Sequence, residues 1–417
     1  MSKKAKLSPV RGTQDLLPDE QRVHRHVEDT AWRVAELYGF GEVSTPIFEF
    51  TDVFARTLGD TTDIVTKEMY TFEDRGGEGI TLRPEGTAGV ARAFISNGLT
   101  QELPLKFFYR GPMFRYERPQ KGRRRQFHQV GVELLGVPGV QADIEVIALG
   151  RQILDELKLT GTVTLELNTL GDKESRDAYR QTLVAYLEGF KDKLSEDSLK
   201  RLYTNPLRIL DSKDEGDREI VADAPSLMDS LNDDSRAVFD DLCDGLSRIG
   251  IDFTHNDRLV RGLDYYCHTA FEFTTDDLGA QGTVLAGGRY DGLIGQMGGP
   301  ETPGIGWAAG VERLSLLAGG VSEPARPIAV LPIGEAAMNE ALMLTQRLRR
   351  EGFAVELGYS GNLKKRLNRA NKANARAAVI LGEDELARNA GTVRDMDSGE
   401  QVEVSLDQLD DKLSAYR

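Results

Sequence analysis

The residues best equipped for chemistry lie in one stretch, 110–133, RGPMFRYERPQKGRRRQFHQVGVE. Two arms, 113–117 and 126–133, alternate in residue type as strands do, and the intervening 118–125 carries Pro119 and Gly122 as turn punctuation. In an antiparallel ladder whose facing positions sum to an even number, Arg115, Glu117, Phe127, Gln129 and Glu133 project to one side and His128 to the other. A face that carries a cation, an aromatic ring and carboxylates reads as a site rather than a core. Arg115, Arg118, Lys121, Arg123, Arg124 and Arg125 are concentrated in a chain of net charge −15. A basic hairpin is more often a solvated surface, but concentration against the global charge favours an anionic ligand. Guanidinium forks fit phosphate oxygens, and a ring can stack on a purine.

Four further stretches are punctuated by glycine. In 81–87, TLRPEGT, Glu85 and Thr87 stand at the mouth of a helical segment, where they could bind an amino group or, taken alone, simply cap the helix. In 261–266, RGLDYY, Arg261, Tyr265 and Tyr266 surround a glycine and suit a strand as well as a site. In 287–292, GGRYDG, the paired glycines admit a ligand, a second backbone or only a turn. In 304–313 three glycines precede Arg313, which could stack on a base, meet phosphate or cap a helix. The five histidines show no HExxH or His-x-His spacing, and Cys243 and Cys267 form no CxxC, so no protein-held metal and no disulfide framework is expected. No GxGxxG leads from a strand into a helix, and there is no GxxxxGK[ST] and no GxSxG.

The elements that must position these residues follow from periodicity. Val23, Val27, Ala31, Val34 and Leu37 define a helix over 19–38, between Pro18 and Gly39. An extended segment, 42–50, is broken by Pro46, with Val43, Ile47 and Phe48 free for a core or a subunit interface. Helices are expected at 88–96 and 142–157, and strands at 103–109 and 163–168. The charged helical texture of 172–252 reads as an insertion, with 211–241 as a solvated acidic surface. Strands resume over 258–273 and 282–293, and 304–317 reads as a glycine turn entering a helix. Pro324 and Pro327 mark a linker, beyond which strand and helix alternate as a small α/β module. The expected division is therefore 1–325 and 326–417. Within the second part, Lys364, Lys365, Arg366, Arg369, Lys372 and Arg376 form an uninterrupted basic run, a candidate contact for nucleic acid or a solvated face. No segment has the length of a membrane span, and the basic start lacks the apolar stretch of a secretory signal, so a cytoplasmic location is the default.

Together these stretches resemble the class II aminoacyl-tRNA synthetases and, among them, the histidyl-tRNA synthetases. FRYERPQKGRRRQFHQ resembles motif 2, GIGWAAGVERLSLL motif 3, and 39–58 the motif 1 segment; RGLDYY and GGRYDGL resemble the two histidine-specific signature peptides. The resemblance implies an α+β fold, with an antiparallel sheet of six or seven strands flanked by helices, a helical insertion and a C-terminal α/β anticodon-binding domain. It implies ATP-dependent activation of histidine and transfer to the 3′ end of tRNA(His), with Mg²⁺ carried in by ATP and a homodimer formed through motif 1. It assigns Arg115 and Arg261 to the α-phosphate, Phe127 and Arg313 to the two faces of adenine, and Arg123 to the pyrophosphate side. Glu85, Thr87 and Gln129 would take the α-amino group, Glu133 and Tyr266 the imidazole, with Tyr265 lining that pocket; Gln120 would meet the acceptor end of tRNA. Trp307 stands where a smaller aromatic is usual, and Arg124 where tyrosine is common. Two alternatives remain. A histidine-sensing regulatory subunit of ATP phosphoribosyltransferase would keep the fold but typically lacks Arg261, the hairpin arginines and the C-terminal domain; a plain RNA-binding protein would not explain Glu85, Gln129, Glu133 and Tyr266 together.

Overall fold

The computed structural model describes residues 7–59, 62, 64–260, 265–279 and 282–416. Arg261 lies outside the described residues. The chain divides into two compact units, Met1–Val321 and Ser322–Arg417.

In the first unit, Pro18–Leu37 is helix α1, Gly41–Glu42 strand β1, Phe48–Phe50 β2 and Thr51–Leu58 α2; Tyr70–Glu73 (β3) and Gly79–Leu82 (β4) precede α3, Thr87–Ser96. The long hairpin is Leu105–Phe114 (β5) and Gln126–Leu135 (β6), followed by α4, Gln141–Glu156, and β7, Thr164–Thr169. Helices Lys173–Glu188 (α5), Glu196–Arg201 (α6), Glu215–Ala222 (α7) and Asp233–Arg248 (α8) come next. Strands Thr254–His255 (β8), Cys267–Thr274 (β9) and Thr283–Arg289 (β10), the short Leu293–Gln296 (α9), Gly304–Gly310 (β11) and Val311–Leu317 (α10) complete it.

Among the described residues the main sheet runs β1-β5-β6-β11-β10-β9-β7-β8. Its six inner strands are antiparallel, and the two-residue strands β1 and β8 add to the edges in parallel. In the β5/β6 hairpin Met113 faces Phe127 and Phe114 faces Gln126, which is the even register. One difference from expectation concerns 304–310, which is a central strand instead of a glycine turn: β11 pairs with β6 on one side and β10 on the other, so its glycines are held extended by two ladders.

Period two separates the sheet's faces. Phe108, Val130, Val132, Trp307, Leu285 and Phe271 point to one side and pack against Val27 and Ala31 of α1, Val146 and Ile147 of α4, and Leu242 of α8. Trp307 is buried there, donating its indole N–H to the Val146 carbonyl at 3.0 Å. The unusual aromatic thus fills the helical layer. Helix α8 shares this core, so the last helix of the charged segment is packed on the sheet's own support. Nor is 211–241 uniformly solvated. Asp217 is fully buried and accepts hydrogen bonds from Ser195 N and Oγ, Ser198 Oγ and Ser212 Oγ. Burial pushes its pKa up, but these bonds outweigh it and hold the carboxyl below the ordinary value.

A small sheet, β2-β4-β3, leaves Phe48, Phe50 and Phe72 half exposed. The second unit contains Ile328–Pro332 (β12), Glu335–Arg350 (α11), Val355–Leu357 (β13), Leu363–Lys372 (α12), Ala377–Leu381 (β14), Glu383–Ala387 (α13), Ala390–Asp395 (β15), Gln401–Ser405 (β16) and Leu409–Leu413 (α14). Its sheet order is β13-β12-β14-β15-β16, with the first two pairings parallel and the last two antiparallel. Arg366, counted in the basic run, is buried and donates to the carbonyls of Pro332 and Gly361, so it serves this fold and not an external ligand.

Candidate active site

The face of the main sheet opposite the helical core carries almost no side-chain bulk at its centre. Facing residues of an antiparallel pair share a side, and the pairs here are Gly306 with Glu133, Ala308 with Gly131, Gly310 with Gln129, Ala286 with Ala308, and Gly288 with Gly306. Glycine and alanine therefore floor a cavity of about 330 Å³. A Cβ on Gly306 would collide with the Glu133 carboxylate, and one on Gly288 would lie 2.8 Å from the Tyr266 ring. The GGRYDG glycines serve close approach: Gly287 accommodates the β11 backbone and Gly288 the Tyr266 ring.

At one end of this floor Glu133 is fully buried, 0% exposed. It accepts from Thr87 Oγ1 at 2.7 Å and from the Tyr290 hydroxyl. Desolvation pushes its carboxyl up to about 8, against the pull of these two hydrogen bonds. Tyr265 and Tyr266 stand beside it, ring centroids 4.5 Å apart, and Tyr265 meets Tyr290 edge-on at 5.8 Å. Glu85 is buried and accepts the backbone N–H of Thr87 at 2.6 Å and of Ala88 at 2.9 Å. It caps α3 and lines the cavity at once, so the two readings of TLRPEGT hold together. Burial raises its pKa. Gln129 also lines the cavity, and its Oε1 is buried without a hydrogen-bond partner. An acceptor left so calls for a donor from a ligand.

The other end is cationic. Arg115 donates from Nε to the Pro84 carbonyl at 2.9 Å, and its guanidinium lies 5.3 Å from the centre of the Phe127 ring. Arg123 pairs with Glu117 at 2.7 Å. Arg313 donates to the carbonyls of Thr283, at 2.6 Å, and Gly122, at 3.3 Å; burial, with Arg123 nearby, lowers its pKa. The structure thus collects Glu85, Thr87, Arg115, Arg123, Phe127, Gln129, Tyr265, Tyr266 and Arg313 around one cavity, with Glu133 beneath its floor. It does not bring Gln120 there. That side chain is exposed at the hairpin tip, bridged to Arg123 through the backbone, and faces a separate cavity behind the loop.

Sequence reasoning missed Tyr290 and Glu272. Tyr290 sits in GGRYDG, where attention fell on the glycines. It is fixed by its neighbour Arg289, a buried arginine paired with Asp143 and Asp291 and donating to the carbonyls of Val137 and Gly139. Glu272 pairs with Ala286 of the floor and accepts from Thr283 Oγ1 at 2.8 Å; the alternation of CHTAFEF was the available signal.

Residues 12–314 match the family described as histidyl-tRNA synthetase, and 327–416 match the one described as anticodon binding domain. The chain belongs to the histidyl-tRNA synthetase family. A histidine–tRNA ligase of Rhodospirillum rubrum is 64% identical over 414 residues, covering 99% of this chain and all of that one. Among solved structures, the apo histidyl-tRNA synthetase of S. aureus superposes with a TM-score of 0.81 at 34% identity, over 98% of this chain and 99% of that one. A Bacillus halodurans chain titled as an ATP phosphoribosyltransferase regulatory subunit/histidyl-tRNA synthetase reaches 0.62 at 21% identity, over 91% of this chain and 99% of that one, which shows a shared fold alone. As in other histidyl-tRNA synthetases, the fold is α+β with a large antiparallel-rich sheet and a C-terminal anticodon-binding domain.

Proposed function

We propose the following residue-level account of this histidine–tRNA ligase, in which the cavity joins histidine to ATP at one end and opens to tRNA at the other. The overall reaction is activation of histidine to histidyl-adenylate with release of pyrophosphate, then transfer of histidine to the 3′ end of tRNA(His). The observation that carries the residue assignment is the polarity of one cavity: a buried carboxyl group with hydroxyl partners at one end, guanidiniums and an aromatic ring at the other, over a floor of glycine and alanine.

Glu133 and Tyr266 take the imidazole, Tyr265 closes that pocket, and Glu85, Thr87 and Gln129 receive the α-ammonium group. The unpartnered Gln129 Oε1 supports this, because an ammonium supplies donors alone. The carboxylate then lies towards Arg115. It is already ionised, so its attack on the α-phosphorus needs no general base; the step brings two anions together, and Arg115 with Arg261 stabilises the charge that develops. Phe127 and Arg313 hold adenine, the Arg115 guanidinium leaving the Phe127 face as it engages phosphate. Arg123 accompanies pyrophosphate, exchanging Glu117 for a phosphate oxygen. Mg²⁺ enters with ATP as the counter-ion of its phosphates; Glu117 and Glu272, oxygen donors lining the cavity, suit so hard a cation. In the second step the terminal ribose hydroxyl attacks the adenylate carbonyl, and Gln120, outside the amino-acid pocket, meets the acceptor end.

The catalytic part is assigned to 1–325, with its insertion at about 172–252, and anticodon binding to 326–417. Two compact units support that division. The exposed Lys364, Lys365, Arg369 and Lys372 of α12 would meet tRNA phosphates. A homodimer through the extended 42–50 segment is supported by Ile47, Phe48 and Phe50, 43–58% exposed. No helix among the described residues is long and apolar enough to cross a membrane; the proposed location is cytoplasmic. Pyrophosphate exchange into ATP, assayed with each amino acid in turn, tests the reading. Exchange that depends on histidine alone is expected; folded protein that binds histidine without exchange would replace the account with a sensor.

A further inference from the structure

Behind the hairpin loop, on the face of β6 away from the reaction cavity, three side chains from distant parts of the chain converge. His24 comes from α1, His128 from β6 and Glu312 from the first turn of α10. One ligand atom from each lies within 4.8 Å of the other two. The His128 and His24 rings meet edge-on, centroids 5.7 Å apart. Glu312 accepts from His128 Nδ1 at 3.0 Å and from the His128 backbone N–H at 2.9 Å.

A hydrogen-bonded His–Glu pair with a second ring packed on it would account for His128 and Glu312. It does not account for His24, which is 5% exposed and whose Nδ1 is buried without a hydrogen-bond partner. Burying such a nitrogen costs free energy unless something binds it.

We propose that His24, His128 and Glu312 form a binding site for one divalent transition-metal cation of the zinc class. Two imidazoles and a carboxylate are a ligand set that such ions accept with tetrahedral geometry, the fourth position left to water. A route in exists: His24 and Glu312 line a cavity of about 530 Å³ enclosed by Gly12–Gln14, α1, α10 and the hairpin loop. Lys121, Arg123 and Arg124 line it too. Their charge opposes any dication, so binding here depends on direct bonds to imidazole nitrogen and carboxylate oxygen of the kind a zinc-class ion forms. The bound ion would staple α1 to β6 and to α10, one residue before Arg313. Ligand spacing along the sequence could not show this, because the three residues are brought together only by the fold.

The test is Co²⁺ titration of the full chain after removal of metal with a chelator. The wild type is expected to bind one equivalent with the visible absorption of four-coordinate Co²⁺, displaced by Zn²⁺, and to melt at a higher temperature with Zn²⁺ than without. His24→Phe keeps a ring against His128 and should lose the absorption and the Zn²⁺-induced shift; its histidine-dependent pyrophosphate exchange, assayed with Mg²⁺ and no transition metal, should stay at the wild-type level, which shows that it folds. His24→Cys should restore binding with an added thiolate-to-cobalt band. Absence of the four-coordinate spectrum in the wild type, or an unchanged spectrum in His24→Phe, would overturn the proposal.

Discussion

The two ends of the reaction cavity are built differently. At the proposed imidazole end Glu133, Glu85, Thr87, Tyr265 and Tyr266 are all buried, and Glu133, Glu85 and Thr87 are tied into one network with Tyr290 and the α3 backbone. At the phosphate end Arg115 and Arg123 are only partly buried, and their partners are those a ligand can displace: a ring face, a loop carbonyl and one carboxylate. The difference fits the role proposed for each end. Telling histidine from other amino acids requires desolvated polar groups that a wrong side chain leaves unpaired. Releasing pyrophosphate and admitting tRNA requires cations that exchange partners. Under the proposed roles, specificity would be preformed in the sheet and the chemistry completed by the hairpin when ATP arrives.

Substitutions that remove one end and leave the other intact separate these functions. Arg115→Ala should have the largest effect, lowering kcat for pyrophosphate exchange by roughly 10²–10³, the usual cost of one transition-state donor, with little change in the KM for histidine; steady-state kinetics reads both. Glu133→Gln should act in the opposite sense. It should raise the KM for histidine about tenfold to a hundredfold, equivalent to the roughly 1.5–3 kcal/mol of a hydrogen bond to a charged group. Phe127→Leu should have a smaller effect, confined to ATP: about fivefold or more in KM, because one stacking contact is worth about 1–3 kcal/mol.

Glu133 also makes stability depend on pH. Its folded pKa, raised by desolvation from 4.5 to about 8, means that between those values the unfolded chain has lost a proton that the folded chain keeps. This contribution is fully present below 4.5 and is lost as pH rises through about 8. The melting temperature of Glu133→Gln relative to wild type, without ligands, should accordingly climb across that window. A difference independent of pH would mean that Glu133 is ionised in the empty site.

Much of this was legible in the sequence, for physical reasons. Alternation in the 126–133 arm shows which of its residues share a face, because a strand's period leaves two choices; the first arm, expected over 113–117, ends as a strand at Phe114, so Arg115 and Glu117 reach the cavity from the loop. The C-terminal strands 377–381 and 401–405 were found at their observed bounds from apolar runs and alternation. What was not legible depended on tertiary pairing. The strand Gly304–Gly310 looked like a turn because glycine carries a turn signal unless two neighbours hold it extended. Asp217 and Arg366 looked like solvated charges in charged runs, and only packing shows that each is buried and satisfied within its unit. Tyr290 was hidden for a related reason: its hydroxyl matters because β10 and β11 bring it to Glu133.

The most direct test of the division is calorimetric titration of histidine, without ATP, into wild type, Arg115→Ala and Glu133→Gln. The account predicts that Arg115→Ala binds histidine as the wild type does and that Glu133→Gln binds it far more weakly. Loss of binding in Arg115→Ala, equal to that in Glu133→Gln, would show that the imidazole end is not formed independently of the phosphate end and would contradict the account.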